Sequence, residues 1–165
     1  MDPTERLVDD WRRELPELDA SPMRTFAQVN RLAALVRRRI EDEFEAAGFN
    51  LATFDVLSAL HRSGAPYEML PSKIASAVML SPSGMTHRID QLVEQGLVER
   101  VADPSSRRTA PVRLTERGIE TSTALVHRLV TLEQQLLASI DDRRRGALTQ
   151  DLSALLNAAE HPVAE

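Results

Sequence analysis

The most constraining feature of this chain is a stretch in its middle, where two short helix patterns lie close together and a hairpin pattern follows. The second helix pattern begins with Ser81 and Pro82, a good helix cap followed by a proline at the first helical position. At about 100° per residue, its apolar and polar residues fall on opposite faces, with Met85, Ile89 and Leu92 on one face and Ser83, His87, Asp90 and Gln91 on the other. The sequence therefore predicts a helix that buries one face and exposes a short-chained polar one.

The segments on either side complete the order helix, turn, helix and hairpin. Residues 71–78 predict a short helix that opens with Pro71. After Gly96, which suits the end of a helix, residues 97–102 and 110–114 predict two strands around a polar turn. This order is typical of a winged helix-turn-helix, whose second helix enters a major groove of DNA while the hairpin reaches the backbone or minor groove. The same fold also serves as a protein-interaction module, and that is the alternative function.

Two motifs in this region resemble those of the MarR family of bacterial transcriptional regulators. The first is the run from Gln91 to Arg100, and the second is a wing motif made of Asp103-Pro104, Arg108, Val112 to Thr115, and Gly118. The wing departs from the family pattern at Ser106, where the family usually has an aspartate that pairs with the wing arginine. The resemblance implies a mainly α fold, in which a winged helix-turn-helix lies between long N- and C-terminal dimerisation helices.

Helix patterns also extend on both sides of the winged module. Thr4 is a candidate cap for a first helix, which carries Leu7, Trp11 and Leu15 on one stripe, and Ser21 is a candidate cap for a long helix to about Gly48. We expect that long helix to have Phe26, Val29, Leu32 or Ala33, Val36, Ile40 and Phe44 inside. Asn50 and Thr115 are expected to cap two further helices, and a last helix follows.

The expected organisation has three parts: N-terminal helices (1–50), a winged DNA-binding lobe (51–118) and C-terminal dimerisation helices (119–165). The terminal helices carry enough apolar surface to need partners. The resemblance implies a homodimer in which these helices interlock, so that two recognition helices meet successive major grooves of a palindromic site on double-stranded DNA. The alternative is that the helices pack within one chain.

Composition excludes several classes of function. The 165-residue chain contains no cysteine, which excludes a disulfide framework and a thiolate zinc site. Its four histidines are not at metal-ligand spacing, and it has no phosphate-binding glycine loop or nucleophile-base pair, so we expect no metal, no cofactor and no enzyme activity. No apolar run is long enough to span a bilayer and the acidic N-terminus does not resemble a signal peptide, which predicts a cytoplasmic protein without a membrane partner.

Charge is distributed unevenly along the chain. The net charge is −5, yet residues 71–117 contain seven Lys or Arg and five Asp or Glu, so this segment is positive and the remainder negative. We predict that base edges are contacted by Ser83, Thr86, His87 and Gln91. Phosphates are assigned to Lys73 and Arg113, and contacts at or near the minor groove to Arg107 and Arg108. The basic run Arg37 to Arg39 precedes acidic residues and is interpreted as a solvated, self-paired face.

Four residues together are candidates for a ligand site: Trp11, Asp55, Arg88 and Arg100. Taken singly, Trp11 could anchor its helix and the other three could be structural ion-pair residues. Together with the additional N-terminal helix, they resemble the pattern of the urate-responsive branch of the MarR family, which implies a small anionic effector such as urate or xanthine. Other ligands, such as a tricarboxylate or a phenolic acid, are alternatives. Our hypothesis is that the ligand competes with Asp55 for Arg100 and engages Arg88, which shifts the recognition helix and releases a repressor from DNA.

Overall fold

The computed structural model describes residues 3–78, 82–101 and 110–161, and within these residues the fold is mainly helical with one small sheet. The helices are α1 (Pro3–Glu14), α2 (Ser21–Ala46), α3 (Leu51–Arg62), α4 (Pro71–Ala77), α5 (Pro82–Glu94), α6 (Glu116–Leu137) and α7 (Asp142–Glu160). The strands are β1 (Glu68–Met69), β2 (Val98–Arg100) and β3 (Val112–Leu114). The chain forms two compact units, residues 1–122 and residues 123–165. The mainly α, winged helix-turn-helix prediction is confirmed.

The core of the first unit lies beneath α5, as the sequence predicts. Met85, Ile89 and Leu92 on the inner face of α5 are buried. α5 contacts α4 and β2, while α3 contacts α4 and β3. Buried side chains from these neighbours complete the core: Val56, Leu57, Leu60, Ile74, Val98, Val112 and Leu114. The apolar face thereby fixes which side of α5 points outward.

The sheet has one more strand than the hairpin predicted from the sequence. Its strand order is β1-β3-β2, and both pairings are antiparallel. β1 contains only two residues, too few for an alternating pattern to be visible in the sequence. In the central strand, Arg113 pairs in register with Glu68 of β1 and Glu99 of β2.

The helix caps agree with the sequence at two positions and differ at two others. Asn50 Oδ1 accepts a hydrogen bond from the Thr53 amide at 2.8 Å, and Thr115 Oγ1 accepts one from the Gly118 amide at 3.0 Å, so both caps are confirmed. The prediction for Ser21 is wrong, because the capping position is Ala20 and the Ser21 amide bonds to Asp19 Oδ1. Thr4 lies inside α1, which begins at Pro3. The predicted cap Ser81 is outside the described residues.

The corner between α5 and β2, residues 95–97, is fastened to the first turn of α6. Gly96 ends α5 with a φ of +67°, a left-handed conformation that glycine adopts at low cost. Thr115 Oγ1 donates to the Gly96 carbonyl at 2.8 Å, and the Arg117 guanidinium donates to the Gln95 carbonyl at 3.0 Å. Gly118 packs so closely that a Cβ there would overlap the Leu97 carbonyl. The recognition helix and the start of α6 are therefore rigidly joined.

Much of the apolar surface of the terminal helices is exposed in the single chain. In α2 only Phe44 is buried, whereas Phe26 is 56% and Leu32 is 59% exposed, and Val29 is also exposed. The expectation that these three residues lie inside is therefore wrong for one chain, because their side chains stay exposed among the described residues. In the second unit no residue of α7 is buried. Among the described helices, none combines the length and apolar character needed to cross a membrane.

Candidate DNA-binding surface and ligand cavity

The outer face of α5 is polar and exposed, as expected for a helix that reads a DNA groove. His87, Asp90 and Gln91 are exposed, and Thr86 is partly exposed and makes polar contacts of its own. On the preceding helix, Lys73 is also exposed. The predicted DNA contacts Arg107 and Arg108 fall outside the described residues, as does the side chain of Ser83. The described part of the surface thus presents several exposed hydrogen-bonding side chains.

The guanidinium of Arg113, whose side chain is partly exposed, is engaged by carboxylates of the two neighbouring strands. Its Nε and Nη2 donate to Glu68 Oε2 at 3.1 and 2.6 Å, and its Nη1 lies 3.7 Å from Glu99 Oε1. Two carboxylates therefore contact the guanidinium that the sequence predicts to bind phosphate. This geometry favours a role for Arg113 in joining the three strands, because a phosphate would have to compete with both carboxylates.

Arg100 connects the wing to the recognition helix. Its Nη2 donates to Asp90 Oδ1 at 2.7 Å, and the Arg100 side chain is only 21% exposed. The contact described here for Arg100 is thus with Asp90, and the pairing of Arg100 with Asp55 stays a prediction. The physical reason for the contact with Asp90 is topological, because β2 lies beside α5 and brings Arg100 to Asp90. Arg100 is thus placed to hold the root of the wing against α5.

A cavity of about 570 Å³ lies where α2, α3, the end of α4 and α5 meet. It contains two of the four ligand-site candidates, Asp55 from α3 and Arg88 from α5. The other lining residues are Arg37, Glu41 and Glu45 of α2, together with Asn50, Leu51, Ala52 and Val78. This volume is in the range of small-molecule sites. The cavity therefore borders both a long N-terminal helix and the recognition helix.

Arg88 points toward the protein body, as its helical angle predicts. Its Nε atom is buried and has no hydrogen-bond acceptor among the described residues. A buried donor without an acceptor costs free energy, and such a donor at the wall of a cavity is suited to bind an acceptor atom of a ligand. Arg88 is accordingly the strongest ligand-binding candidate in the described structure.

Asp55 is the carboxylate that faces these cationic groups. Burial raises the pKa of Asp55 above its ordinary value of 3.8, against the opposing effect of Arg37, Arg88 and Arg62, whose positive charges lower it. Desolvation therefore outweighs attraction, so the ionised form of Asp55 is disfavoured in the folded protein. Such a group in a cavity is a candidate functional residue.

This cost leads to a prediction about pH. We expect Asp55→Asn to raise the denaturation midpoint at pH 7, because the ionised carboxylate that burial disfavours is removed. Because the pKa of Asp55 is higher in the folded protein than its ordinary value of 3.8, protonation relieves the cost of burial as the pH falls through the folded pKa. The difference in the free energy of unfolding between variant and wild type should therefore shrink on acidification. Chemical denaturation at several pH values measures it. The control Asp42→Asn, on exposed α2 surface, should change stability by no more than about 0.5 kcal/mol; a less stable Asp55→Asn protein at pH 7 would contradict the prediction.

Sequence reasoning missed the contribution of α2 to this cavity. Arg37, Glu41 and Glu45 are spaced four residues apart, so they share one face of α2. The Arg37 Nε donates to Glu41 Oε1 at 2.9 Å, which agrees with the predicted self-pairing, yet both side chains also line the cavity. The i, i+4, i+8 spacing was visible in the sequence, but the position of Asp55 opposite it was not.

Trp11 lies outside the cavity lining. Trp11 is 39% exposed on α1, and so are Leu7 of α1 and Leu15, which directly follows that helix. The buried residues of α1 are instead Thr4 and Val8, and α1 contacts α2. The stripe predicted from the sequence thus forms an exposed apolar face. Among the described residues, no group of three His, Asp or Glu side chains is placed to hold a metal ion.

Comparison with known proteins places this architecture among transcriptional regulators. The model of the MarR family matches residues 49–110. The chain is 31% identical over 154 residues to the HTH-type transcriptional regulator PecS of Dickeya dadantii, and the match covers 93% of this chain and 90% of PecS.

Solved structures support the fold. The chain superimposes on AbsC, a MarR family transcriptional regulator from Streptomyces coelicolor, with a TM-score of 0.72 and 21% identity, over 87% of this chain and 97% of AbsC. A variant of MarR from E. coli, solved as a complex with operator DNA, gives a TM-score of 0.64 at 20% identity, over 88% of this chain and 97% of that one.

Proposed function

The chain belongs to the MarR family of transcriptional regulators, and we propose that it is a homodimeric repressor that a small planar anion, such as urate or xanthine, releases from a palindromic operator. The observation that carries this proposal is that the two faces of α5 point to different surroundings. Its outer face exposes His87 and Gln91, while Arg88 turns inward to the cavity with a buried Nε. A ligand that contacts Arg88 acts directly on the helix that reads DNA, and it shifts the population if it binds two helix positions unequally.

DNA recognition is assigned to the outer surface of the winged module. Ser83, Thr86, His87 and Gln91 contact base edges, and Lys73 contacts phosphate. Arg107 and Arg108 reach the minor groove from the wing. Arg113 and Arg100 support the wing from within, since both are engaged by carboxylates of the sheet and α5.

Dimerisation is supported by the apolar surface that a single chain leaves exposed. Phe26, Leu32 and Leu35 of α2 are each more than half exposed, and Leu156 of α7 is 62% exposed. Covering these side chains is favourable by about 25 cal/mol per Å² of apolar area. A second copy of the chain supplies that cover, and it also places two recognition helices about 10 bp apart on one face of the DNA.

The chemistry of the cavity supports a purine-like ligand. The Arg88 guanidinium suits an anionic or carbonyl edge, and the Asp55 carboxylate suits a ring N–H. A planar purine such as urate offers both types of edge. The lining contains three carboxylates (Glu41, Glu45 and Asp55) and two arginines (Arg37 and Arg88), a balance that disfavours a tricarboxylate because its several charges would face uncompensated carboxylates.

Two substitutions distinguish the roles on the DNA side. We expect Lys73→Ala to weaken binding to all duplexes alike and to lower the slope of log K against log salt by about 1, because one phosphate contact is lost. We expect His87→Ala to narrow the difference between operator and unrelated DNA, because a base contact is lost. Fluorescence anisotropy titrations with both duplexes at three salt concentrations measure these effects. An unchanged slope for Lys73→Ala, or unchanged discrimination for His87→Ala, would contradict the respective assignment.

A further inference from the structure

The ion pair between Arg37 and Glu41 lies on the α2 wall of the cavity, on the more accessible side of its lining. Arg37 is 69% exposed and Glu41 is 40% exposed, whereas Arg88 Nε is buried. The lining therefore contains one arginine with a buried Nε and a second arginine whose side chain is largely open to solvent. Asp55 lies within the electrostatic influence of both arginines.

The exposed pair is easily rearranged. A pair of opposite charges at i and i+4 on an exposed helix contributes little to stability, so Arg37 can leave Glu41 at low cost. An anion at the cavity gains from Arg37, and it is disfavoured by Glu41 and by Glu45, one helical turn further along. The two members of one ion pair thus act on an anion in opposite directions.

From this arrangement we propose that Arg37 is a second ligand-binding arginine, and that Glu41 competes with the ligand for it and so sets the preference for anionic ligands. The inference rests on the proposed function, because it assumes that this cavity binds a small planar anion. The ligand class that it implies is a planar molecule with acceptor groups on two edges, one for Arg88 and one for the more exposed Arg37.

The test uses two substitutions that break the same ion pair. With urate as the probe and the full-length protein, isothermal titration is expected to show about fivefold weaker binding for Arg37→Gln, because one partly screened charge contact is lost. Glu41→Gln is expected to bind urate about threefold more tightly, because Arg37 is released and a repulsive charge is removed. A purely structural role for the pair would shift both affinities in the same direction.

Matched controls lie next to each position on the same helix. Arg38→Gln changes the net charge as Arg37→Gln does, and Asp42→Asn changes it as Glu41→Gln does, but both controls are at exposed residues outside the cavity lining. Both should leave urate affinity within about twofold of wild type. This inference alone is overturned if the wild type binds urate but the urate affinities of Arg37→Gln and Glu41→Gln equal those of the controls. It is also overturned if both affinities shift in the same direction. No binding of urate by the wild type overturns the proposed ligand class and this inference with it.

Discussion

Arg88→Gln is expected to reduce urate affinity by about 30-fold, because a hydrogen bond to a charged group contributes roughly 2 kcal/mol to binding. The urate concentration that releases half of the DNA should rise by a similar factor. Glutamine keeps a hydrogen-bonding side chain of moderate length but removes the charge and the buried Nε donor. Removing a buried donor that lacks an acceptor among the described residues relieves a cost, whereas removing the Arg88 charge takes away part of the attraction that opposes the burial of Asp55. These two effects oppose each other, so we expect the stability of the folded state to change little. Isothermal titration, DNA release and thermal denaturation measure the three effects.

His87→Ala is the matched control for this experiment. His87 is adjacent to Arg88 on α5 but is exposed on the outer face, outside the cavity lining. The His87→Ala variant should show a smaller difference in affinity between operator and unrelated DNA, while its urate affinity is unchanged. Arg88→Gln should do the reverse. Equal urate affinity in wild type and Arg88→Gln, or loss of urate binding in His87→Ala, would contradict the separation of the two faces of α5.

Gly118→Ala is expected to destabilise the protein by about 3 kcal/mol, near the upper end of the usual cost of overpacking. The added Cβ would overlap the carbonyl oxygen of Leu97 and would lie 3.2 Å from Leu114 Cδ2. The oxygen belongs to the backbone and also accepts the Thr115 amide at 3.1 Å, so it cannot turn away as a flexible side chain would. Relief requires α6 to move away from the corner at residues 95–97. Urea denaturation at fixed protein concentration measures the loss.

Gly146→Ala provides the opposite expectation on another helix. Gly146 lies within α7, and apart from its own helical turn a Cβ there would meet no atom of the described residues within 4 Å. Alanine lowers the entropic cost of helix formation, so this variant should gain about 0.5–1 kcal/mol. If both variants changed stability equally, the close contact between Gly118 and Leu97 would not be the cause. A loss below about 1 kcal/mol for Gly118→Ala would likewise contradict the rigid corner.

Local patterns in the sequence predict much of this fold because they depend on residues that are close in the chain. The inner face of α5 follows from helical periodicity, and the Asn50 and Thr115 caps follow from side chains that reach only three residues ahead. Strand β1 was missed because two residues carry no period. The buried face expected for α2 was wrong for the single chain, because periodicity identifies an apolar face but does not identify what covers it.

The candidate site was predictable to the extent that residue type constrained it. Asp55 and Arg88 stand out as charged residues on largely apolar helices, and the structure brings both to one cavity. The contact of Arg100 with Asp90 was not predicted, because it depends on how β2 lies beside α5. Arg37 and Glu41 looked like an ordinary exposed pair, and only the packing of α2 near α3 reveals their second position at the cavity.

The most direct test of the account is a titration of the purified protein into labelled DNA taken from upstream of its own gene, with and without urate. We predict salt-sensitive binding that saturates at two chains per duplex, together with release of the duplex when urate is added. Failure to bind the duplex under any salt condition would contradict the account. Binding by one chain per duplex would contradict the proposed dimer, and a complex indifferent to urate would contradict the proposed ligand.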